Sequence, residues 1–143
     1  MSNLVVNLAD AVTAELAGVT FSQSFAPQRR YRPRYELRDL KDLTVTVVPK
    51  SLSLNAATRN GRFHDVAIDI AMQQRLADEH DATIDPLMQL VLEIVQHLSQ
   101  RKLPGVPSAS LIELTNDPIY AVEHLDEMRV FTSVITATYR TLQ

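Results

Sequence analysis

The chain has 143 residues, of which 45% are hydrophobic and 22% charged, and a formal net charge of -3. This balance is typical of a globular protein and excludes wholesale disorder or a fibrous repeat, and the length fits one domain over residues 1–143. The absence of cysteine excludes a disulfide framework, a thiol nucleophile and cysteine-built metal sites. With no long apolar run and no basic leader, we expect neither membrane insertion nor classical export.

Charge is unevenly distributed along the chain. Residues 1–62 carry nine Lys and Arg against five Asp and Glu, whereas residues 63–143 carry five against twelve. The two halves therefore have net charges of +4 and -7. Complementary patches steer association and fix its register, so this asymmetry suits head-to-tail contact between copies if folding keeps the halves apart. Intermixing of the two halves on the surface is the alternative.

The first residues predict a helix. Apolar side chains recur every four positions from Leu4 to Leu16, which is the spacing of an amphipathic helix. Ser2 or Asn3 suits the N-cap, and Gly18 suits a left-handed residue after the last turn.

Strand-like segments follow this helix at residues 19–25, 31–38 and 43–49, where aromatic and β-branched residues dominate. Pro27 and Pro33 place the surrounding segment on a sheet edge or in an extended arm. Residues 51–61 predict a loop or a weak strand, and the Asn60-Gly61 pair predicts the turn of a hairpin.

The second half of the chain predicts a strand, a helix and two further strands. Residues 65–72 alternate apolar and small or acidic side chains, as a half-buried strand does. A helix is expected from Asp85 as cap and Pro86 as first residue, after a polar loop and before Arg101 and Lys102. Residues 109–115 predict a short strand, 121–128 a helical turn and 129–142 a long central strand.

The order of these elements predicts an α+β fold. We expect an antiparallel or mixed β-sheet of about four strands packed with two main helices, plus a β-hairpin or extended arm. A doubly wound sheet is disfavoured because strands and helices do not alternate regularly.

Catalytic and cofactor-binding patterns are missing from the sequence. The three glycines lie too far apart for a phosphate-binding loop, and the four histidines are not paired at ligand spacing. Glu93 and His97 could share a surface contact, but a solvated polar edge is the favoured interpretation. Asp65 and Asp69 would lie about 13 Å apart along a strand, too far for a glycosidase pair, and are expected to face solvent. We expect a protein that is not an enzyme and binds no cofactor or metal.

An arginine- and tyrosine-rich segment is the most distinctive local feature. Arginine binds phosphates and tyrosine stacks on bases, so residues 29–38 could form a weak nucleic-acid-binding module. The acidic chain, with a pI of about 5.7, favours a protein interface instead, because the same residue types anchor such interfaces. A plain solvated edge is the third possibility. The candidate interface residues are Arg29, Arg30, Tyr31, Arg32, Arg34 and Tyr35.

Three stretches of the chain resemble the tail-terminator, or tail-completion, proteins in the neck of long-tailed bacteriophages and prophages. They are the opening helix NLVVNLADAVTAEL, the strand LTVTVVPK and the closing stretch NDPIYAVEHLDEMRVFTSVITATYR. In the last stretch, a polar turn with Asp-Pro and Tyr precedes a short helix and a long β-branched strand. With the order of elements, the resemblance covers nearly the whole chain.

The resemblance implies a homohexameric ring that caps the tail tube, stops its polymerisation and offers a docking surface for the filled head. Its partners would be further copies of the chain, the tail tube protein and a head-completion or other neck protein, with DNA passing through the lumen only as cargo. The protein would lie in the tail or neck of the virion after assembly in the bacterial cytoplasm. A head-completion or adaptor role in the neck is the alternative.

The resemblance also gives two groups of residues an expected role. The segment Arg29 to Arg38 would contact a neighbouring subunit or the tube. An acidic group would face a partner or the lumen, where it would repel DNA and help it to slide. The members of this acidic group are Asp65, Asp69, Asp78, Glu79 and Asp81.

Overall fold

The computed structural model describes residues 3–31, 42–56, 61–76, 81–100, 102–117 and 129–142. These residues form the predicted α+β fold of two helices and one mixed sheet. The sheet has five strands, where about four were predicted. In chain order the elements are α1 (Leu4–Ala17), β1 (Gln28–Arg29), β2 (Thr44–Ala56), β3 (Arg62–Arg75), α2 (Asp81–Gln100), β4 (Ser110–Asn116) and β5 (Val130–Leu142).

The sheet has the strand order β1-β2-β3-β5-β4. All neighbours are antiparallel except β1, which pairs in parallel with Thr46 and Val47 of β2. Strand β3 pairs with β2 on one side and with β5 on the other, and β4 pairs with β5. The prediction that the closing strand is central is confirmed, because β5 has a neighbour on each side. The prediction that Val66, Ile68, Ile70 and Met72 face the core is confirmed, but Ala67 and Ala71 on the other face are buried as well, so burial does not alternate along this strand.

The core lies between the helices and one face of the sheet. Paired strand residues share a face, so the side chains of Val47, Ile70 and Ile135 project together from three neighbouring strands. The apolar faces of both helices join the same buried cluster. The predicted apolar face of α2 is confirmed, with Leu87, Leu90, Val91, Ile94 and Leu98 buried and Val95 partly buried.

Helix α1 begins as predicted but ends differently. Asn3 is its N-cap, with its side-chain oxygen accepting from the N–H groups of Val5 and Val6. Gly18 follows the last residue with φ -83° and ψ -2°, so the left-handed conformation predicted for it is wrong. The backbone keeps its right-handed path, and the Gly18 N–H donates to the Ala14 carbonyl oxygen at 3.0 Å.

The strand predicted at residues 19–25 is not formed. The segment alternates between partly buried and exposed side chains as a strand would, but it belongs to no sheet. Phe21 and Phe25 stack with ring centroids 5.6 Å apart, and both pack against the core. The Ser22 N–H donates to a Glu93 carboxylate oxygen at 2.9 Å. The alternating pattern therefore reflects packing on the helix layer.

Helix α2 begins one turn earlier than predicted. It starts at Asp81, so Asp85 is not its cap and Pro86 lies inside the helix. Pro86 is the sixth residue of the helix, beyond the first four N–H groups that have no intrahelical acceptor, so it removes one helix hydrogen bond. Ile84, which packs against the core, provides an apolar contact for the additional turn.

Strand β2 is longer than predicted. It continues from the predicted strand at 43–49 through the polar residues 51–56, and β3 pairs with it as far as Ala56 and Arg62. The predicted strand at 109–115 is confirmed as β4. The expectations for 32–38, for the turn at Asn60 and for the helical turn at 121–128 lie outside the described residues.

Candidate interaction surface

Residues 28–31 begin the arginine- and tyrosine-rich segment and lie beside α1 and β2. The Arg30 N–H donates to the Val47 carbonyl oxygen at 2.9 Å, which extends the short β1 pairing. The Arg29 guanidinium donates to the Asp10 carboxylate on α1 at 2.6 Å and lies 5.4 Å from the centre of the Tyr31 ring. Arg29 therefore attaches the segment to α1, because its charge is already paired within the chain.

Arg30 and Tyr31 differ from Arg29 in their availability to a partner. Among the described residues, the Arg30 guanidinium contacts a neutral group, the Gln28 side-chain oxygen, at 2.6 and 3.1 Å. Tyr31 is 71% exposed, the largest exposure among the large hydrophobic side chains of the described residues. A role for these two residues at an interface stays a prediction. Arg32, Arg34 and Tyr35 lie outside the described part of the chain.

The predicted acidic group is divided by the structure. Asp65 is not a free acid at the surface, because Arg140 donates to both of its carboxylate oxygens at 2.8 and 2.9 Å. Asn55 donates to the same carboxylate at 3.0 Å. The hydrogen bonds from Arg140 hold the pKa of Asp65 below its ordinary value. Asp69 accepts from the Thr136 hydroxyl at 2.6 Å.

The expectation that Asp65 and Asp69 simply face solvent is therefore wrong. Both are partly buried on the sheet face opposite the helices, and their cross-strand neighbours on β5 supply donors. Strand register brings these partners together from 75 and 67 residues away. Asp78 and Glu79 lie outside the described residues, as does the side chain of Asp81, the first residue of α2. Whether any of these acids faces a partner or a lumen stays a prediction.

A polar cluster joins the two helices beneath the surface. His97 Nε2 on α2 lies 2.8 Å from Glu15 Oε1 on α1, with both side chains mostly buried. The ring of Phe21 meets the His97 ring edge-on at 5.8 Å. Burial raises the pKa of the nearby Tyr139 phenol to about 12, and the negative charge of Glu15 adds to this shift.

His97 contacts Glu15 rather than Glu93, with which its spacing allowed a surface contact that was not the favoured interpretation. Glu93 accepts from the Ser22 backbone instead, and this hydrogen bond lowers the pKa of Glu93. His97 contacts a residue 82 positions away, which no local spacing could indicate. The solvated polar edge favoured for the two residues is therefore also incorrect for His97, which connects the helices.

Exposed apolar side chains mark both edges of the sheet. Leu52 and Leu54 are 51% and 56% exposed in the outer half of β2, and Ile112 is 45% exposed on β4. The β2 side also carries the exposed charge of Lys50, whereas the β4 side carries Glu113. The sequence did not indicate Leu52 and Leu54 because they lie in a stretch rich in serine and asparagine, and Ile112 lies in a predicted strand whose edge position no local pattern indicates.

The described residues contain no group of three or more His, Asp or Glu side chains that could hold a metal ion. Within the same ranges, neither helix has the length and apolar character required to cross a bilayer. No family model matches the sequence, and no curated protein matches it.

Proposed function

We propose that this chain is a structural subunit of a phage or prophage tail. Copies form a homohexameric ring that caps the tail tube, ends tube polymerisation and provides the surface on which the head docks. The placement in the tail rests on the resemblance of residues 3–16, 43–50 and 116–140 to tail-terminator proteins. The ring rests on the surface described above.

The observation that carries the ring is the presence of two different exposed strand edges on one sheet. A ring with cyclic symmetry requires each copy to present two unlike, complementary surfaces to its two neighbours. The β2 side combines Leu52 and Leu54 with Lys50, and the β4 side combines Ile112 with Glu113. Both sides are apolar, and the charges beside them are opposite in sign.

The ion pairs within the chain bear on the proposed roles of the remaining charged residues. Because Arg140 pairs with Asp65, that acid adds little net charge to a lumen surface. The proposed acidic lumen therefore depends on Asp69 and on Asp78, Glu79 and Asp81. The proposed contact with the tube or a neighbour depends on Arg30 and Tyr31, since Arg29 is paired with Asp10.

The same pairing weighs against a nucleic-acid-binding module. Affinity for nucleic acid depends chiefly on unpaired basic side chains that neutralise phosphates. Arg29 already has a carboxylate partner at 2.6 Å, and the chain is acidic overall. A DNA complex that forms at low salt and is lost when Arg30 and Arg32 are replaced by Ala would favour this alternative.

Electron microscopy of a lysate from the encoding phage or prophage, with this gene deleted, tests the proposal. We expect tails of uncontrolled length beside DNA-filled heads without tails, and restoration of normal virions by a plasmid copy of the gene. Tails of normal length that fail to join heads, or heads that leak DNA, would overturn the terminator role in favour of a head-completion or adaptor role. Normal virions would overturn the structural role altogether.

A further inference from the structure

The sheet ends in two strand edges that no described strand covers. On β2, the short strand β1 pairs only with Thr46 and Val47. Residues 51–56, called here the outer β2 edge, are all exposed. At the other side, β4 pairs with β5 alone among the described strands, and its second side is called here the β4 edge. Such edges are templates for pairing with another chain.

The outer β2 edge lacks the features that normally block such pairing. Pro49 and the irregularity between Pro49 and Ser51 interrupt the strand just before it, and both features discourage pairing at that point. Beyond them, residues 51–56 contain no proline and no charge. The interruption therefore limits pairing to the outer half of β2 and helps to set where it starts.

We propose that the β4 edge of one copy pairs with the outer β2 edge of the next copy. The inference rests on the proposed ring, for which it supplies the contact between subunits. The two edges match in length, with six residues on β2 and seven in β4. A second copy is the chosen occupant because the chain itself supplies both an apolar basic edge and an apolar acidic edge.

The sheet topology fixes the direction of this pairing. Strands β2 and β4 run in opposite directions within the sheet, because β2, β3, β5 and β4 alternate. Rotation about an axis roughly along the strands preserves these directions in every copy. The β4 edge therefore meets the outer β2 edge in antiparallel orientation, and each junction continues the alternation of the sheet. A closed ring built in this way leaves neither the β4 edge nor the outer β2 edge unpaired.

Side-chain chemistry fixes the register. Leu52 lies on the helix-side face opposite Val66, and Leu114 lies on the same face opposite Ala137. Placing Leu52 of one copy opposite Leu114 of the next brings Leu54 close to Ile112, where the pairing of β4 with β5 is irregular between Leu111 and Glu113. The same antiparallel register brings the exposed Lys50 close to the exposed Asp117 just after β4. In this one register, apolar side chains lie opposite apolar side chains and the two opposite charges lie close together.

Disulfide trapping tests the pairing directly, because the chain has no cysteine of its own. Under mild oxidation we expect an equimolar mixture of L54C and I112C chains to give a cross-linked dimer. Neither variant alone should form it to the same extent. A mixture of L92C and I112C is the matched control, because Leu92 on α2 is a leucine with 48% exposure, against 56% for Leu54.

Lysine substitutions distinguish two unlike edges from a symmetric contact. Each of L54K and I112K spoils one edge and leaves the other intact, so each should associate roughly tenfold or more weakly than the wild type in sedimentation velocity. Their equimolar mixture should form a dimer through the remaining intact pair of edges and nothing larger. The L92K variant should associate like the wild type.

Several outcomes would overturn this contact. Self-cross-linking of L54C alone indicates symmetric pairing of two β2 edges. Cross-linking no stronger than in the L92C control, or a wild-type chain that stays monomeric at the highest soluble concentration, also contradicts it. A different result would contradict the proposed function but not this contact. If the edges cross-link while the gene deletion gives normal tails, the copies pair as proposed but the protein has no role in the tail. Wild-type association through another surface would retain a ring and remove this contact.

Discussion

The pair formed by Asp65 and Arg140 connects two neighbouring strands on the sheet face opposite the helices. Its geometry is bidentate, with both carboxylate oxygens accepting from one guanidinium, which is a strong form of charge-assisted hydrogen bond. The same guanidinium lies 4.6 Å from the centre of the Phe63 ring. Arg140 therefore organises an acid and an aromatic ring of β3 from its position on β5.

Replacing Arg140 by Met should lower the thermal unfolding midpoint at neutral pH. The folded chain holds the pKa of Asp65 below its ordinary value. The ion pair therefore contributes its full stabilisation of the folded chain above the ordinary carboxyl pKa of about 3.9. It is lost as the pH falls through the lower folded value. The difference in midpoint between wild type and R140M should therefore narrow in acid. Thermal unfolding by circular dichroism at about pH 7 and about pH 3 measures it, and a difference independent of pH would contradict the ion pair.

Tyr139 is a buried phenol whose hydroxyl has no hydrogen-bond partner among the described residues. Its pKa is raised to about 12, so the folded chain keeps the proton that an unfolded chain releases near pH 10. Stability from this group is complete below the ordinary pKa and is lost as the pH rises through the folded value.

The Y139F variant should therefore be at least as stable as the wild type near neutral pH, within about 1 kcal/mol, because it removes an unpaired buried hydroxyl. Between about pH 10 and pH 12 the wild type should lose on the order of 2 kcal/mol that the variant retains. Urea unfolding at neutral and alkaline pH measures the comparison. A variant that is several kcal/mol less stable near pH 7 would mean that the hydroxyl is hydrogen-bonded.

Among the helices and strands, the sequence predicts an element best where the spacing of its apolar residues and a capping or turn residue at its end agree. Helix α1 and strands β3, β4 and β5 were predicted from their apolar spacing or their β-branched and apolar composition, and the structure contains all four. Residues 19–25 alternate between partly buried and exposed side chains, but they form no strand. A strand requires a neighbouring backbone to pair with, and these residues pack on the helices instead. At α2, the Asp85-Pro86 signal was overridden by the extra turn that includes Ile84.

Gly18 gives a direct test of how α1 ends. Because its φ of -83° suits any residue, and an added Cβ would meet the Ala14 and Glu15 backbone oxygens at ordinary contact distances of 3.4 and 3.9 Å, Gly18→Ala should fit without strain. It should leave stability unchanged or raise it by roughly 0.4–1 kcal/mol, because alanine reduces the conformational freedom of the unfolded chain. Chemical denaturation measures this change. A loss of about 1 kcal/mol or more would indicate the left-handed conformation instead.

Gly105 serves as the matched comparison for Gly18. An added Cβ at Gly105 would lie 3.2 Å from the Ala11 Cβ on α1, so the helix must move by a few tenths of an ångström. We therefore expect G105A to be less stable than G18A. Equal stabilities for the two variants would show that α1 accommodates the added methyl group without cost.

For the whole molecule, the sequence predicted an α+β fold and suggested unlike charged surfaces, but it did not locate the exposed sheet edges. Leu52 and Leu54 lie in a stretch rich in serine and asparagine, so their place on an edge strand depends on pairing with β3. The pairing of Asp65 with Arg140 likewise depends on strand register across 75 residues. Local patterns carry no information about which distant strands become neighbours.

The central claim is that copies joined by their sheet edges cap the tail tube. Tail lengths in the gene-deletion lysate, measured by electron microscopy after complementation with the L54K or L92K allele, test it most directly. We predict that L92K restores the normal length and that L54K, although folded and present at a similar level, leaves tails of uncontrolled length. Normal tails with L54K would contradict the claim.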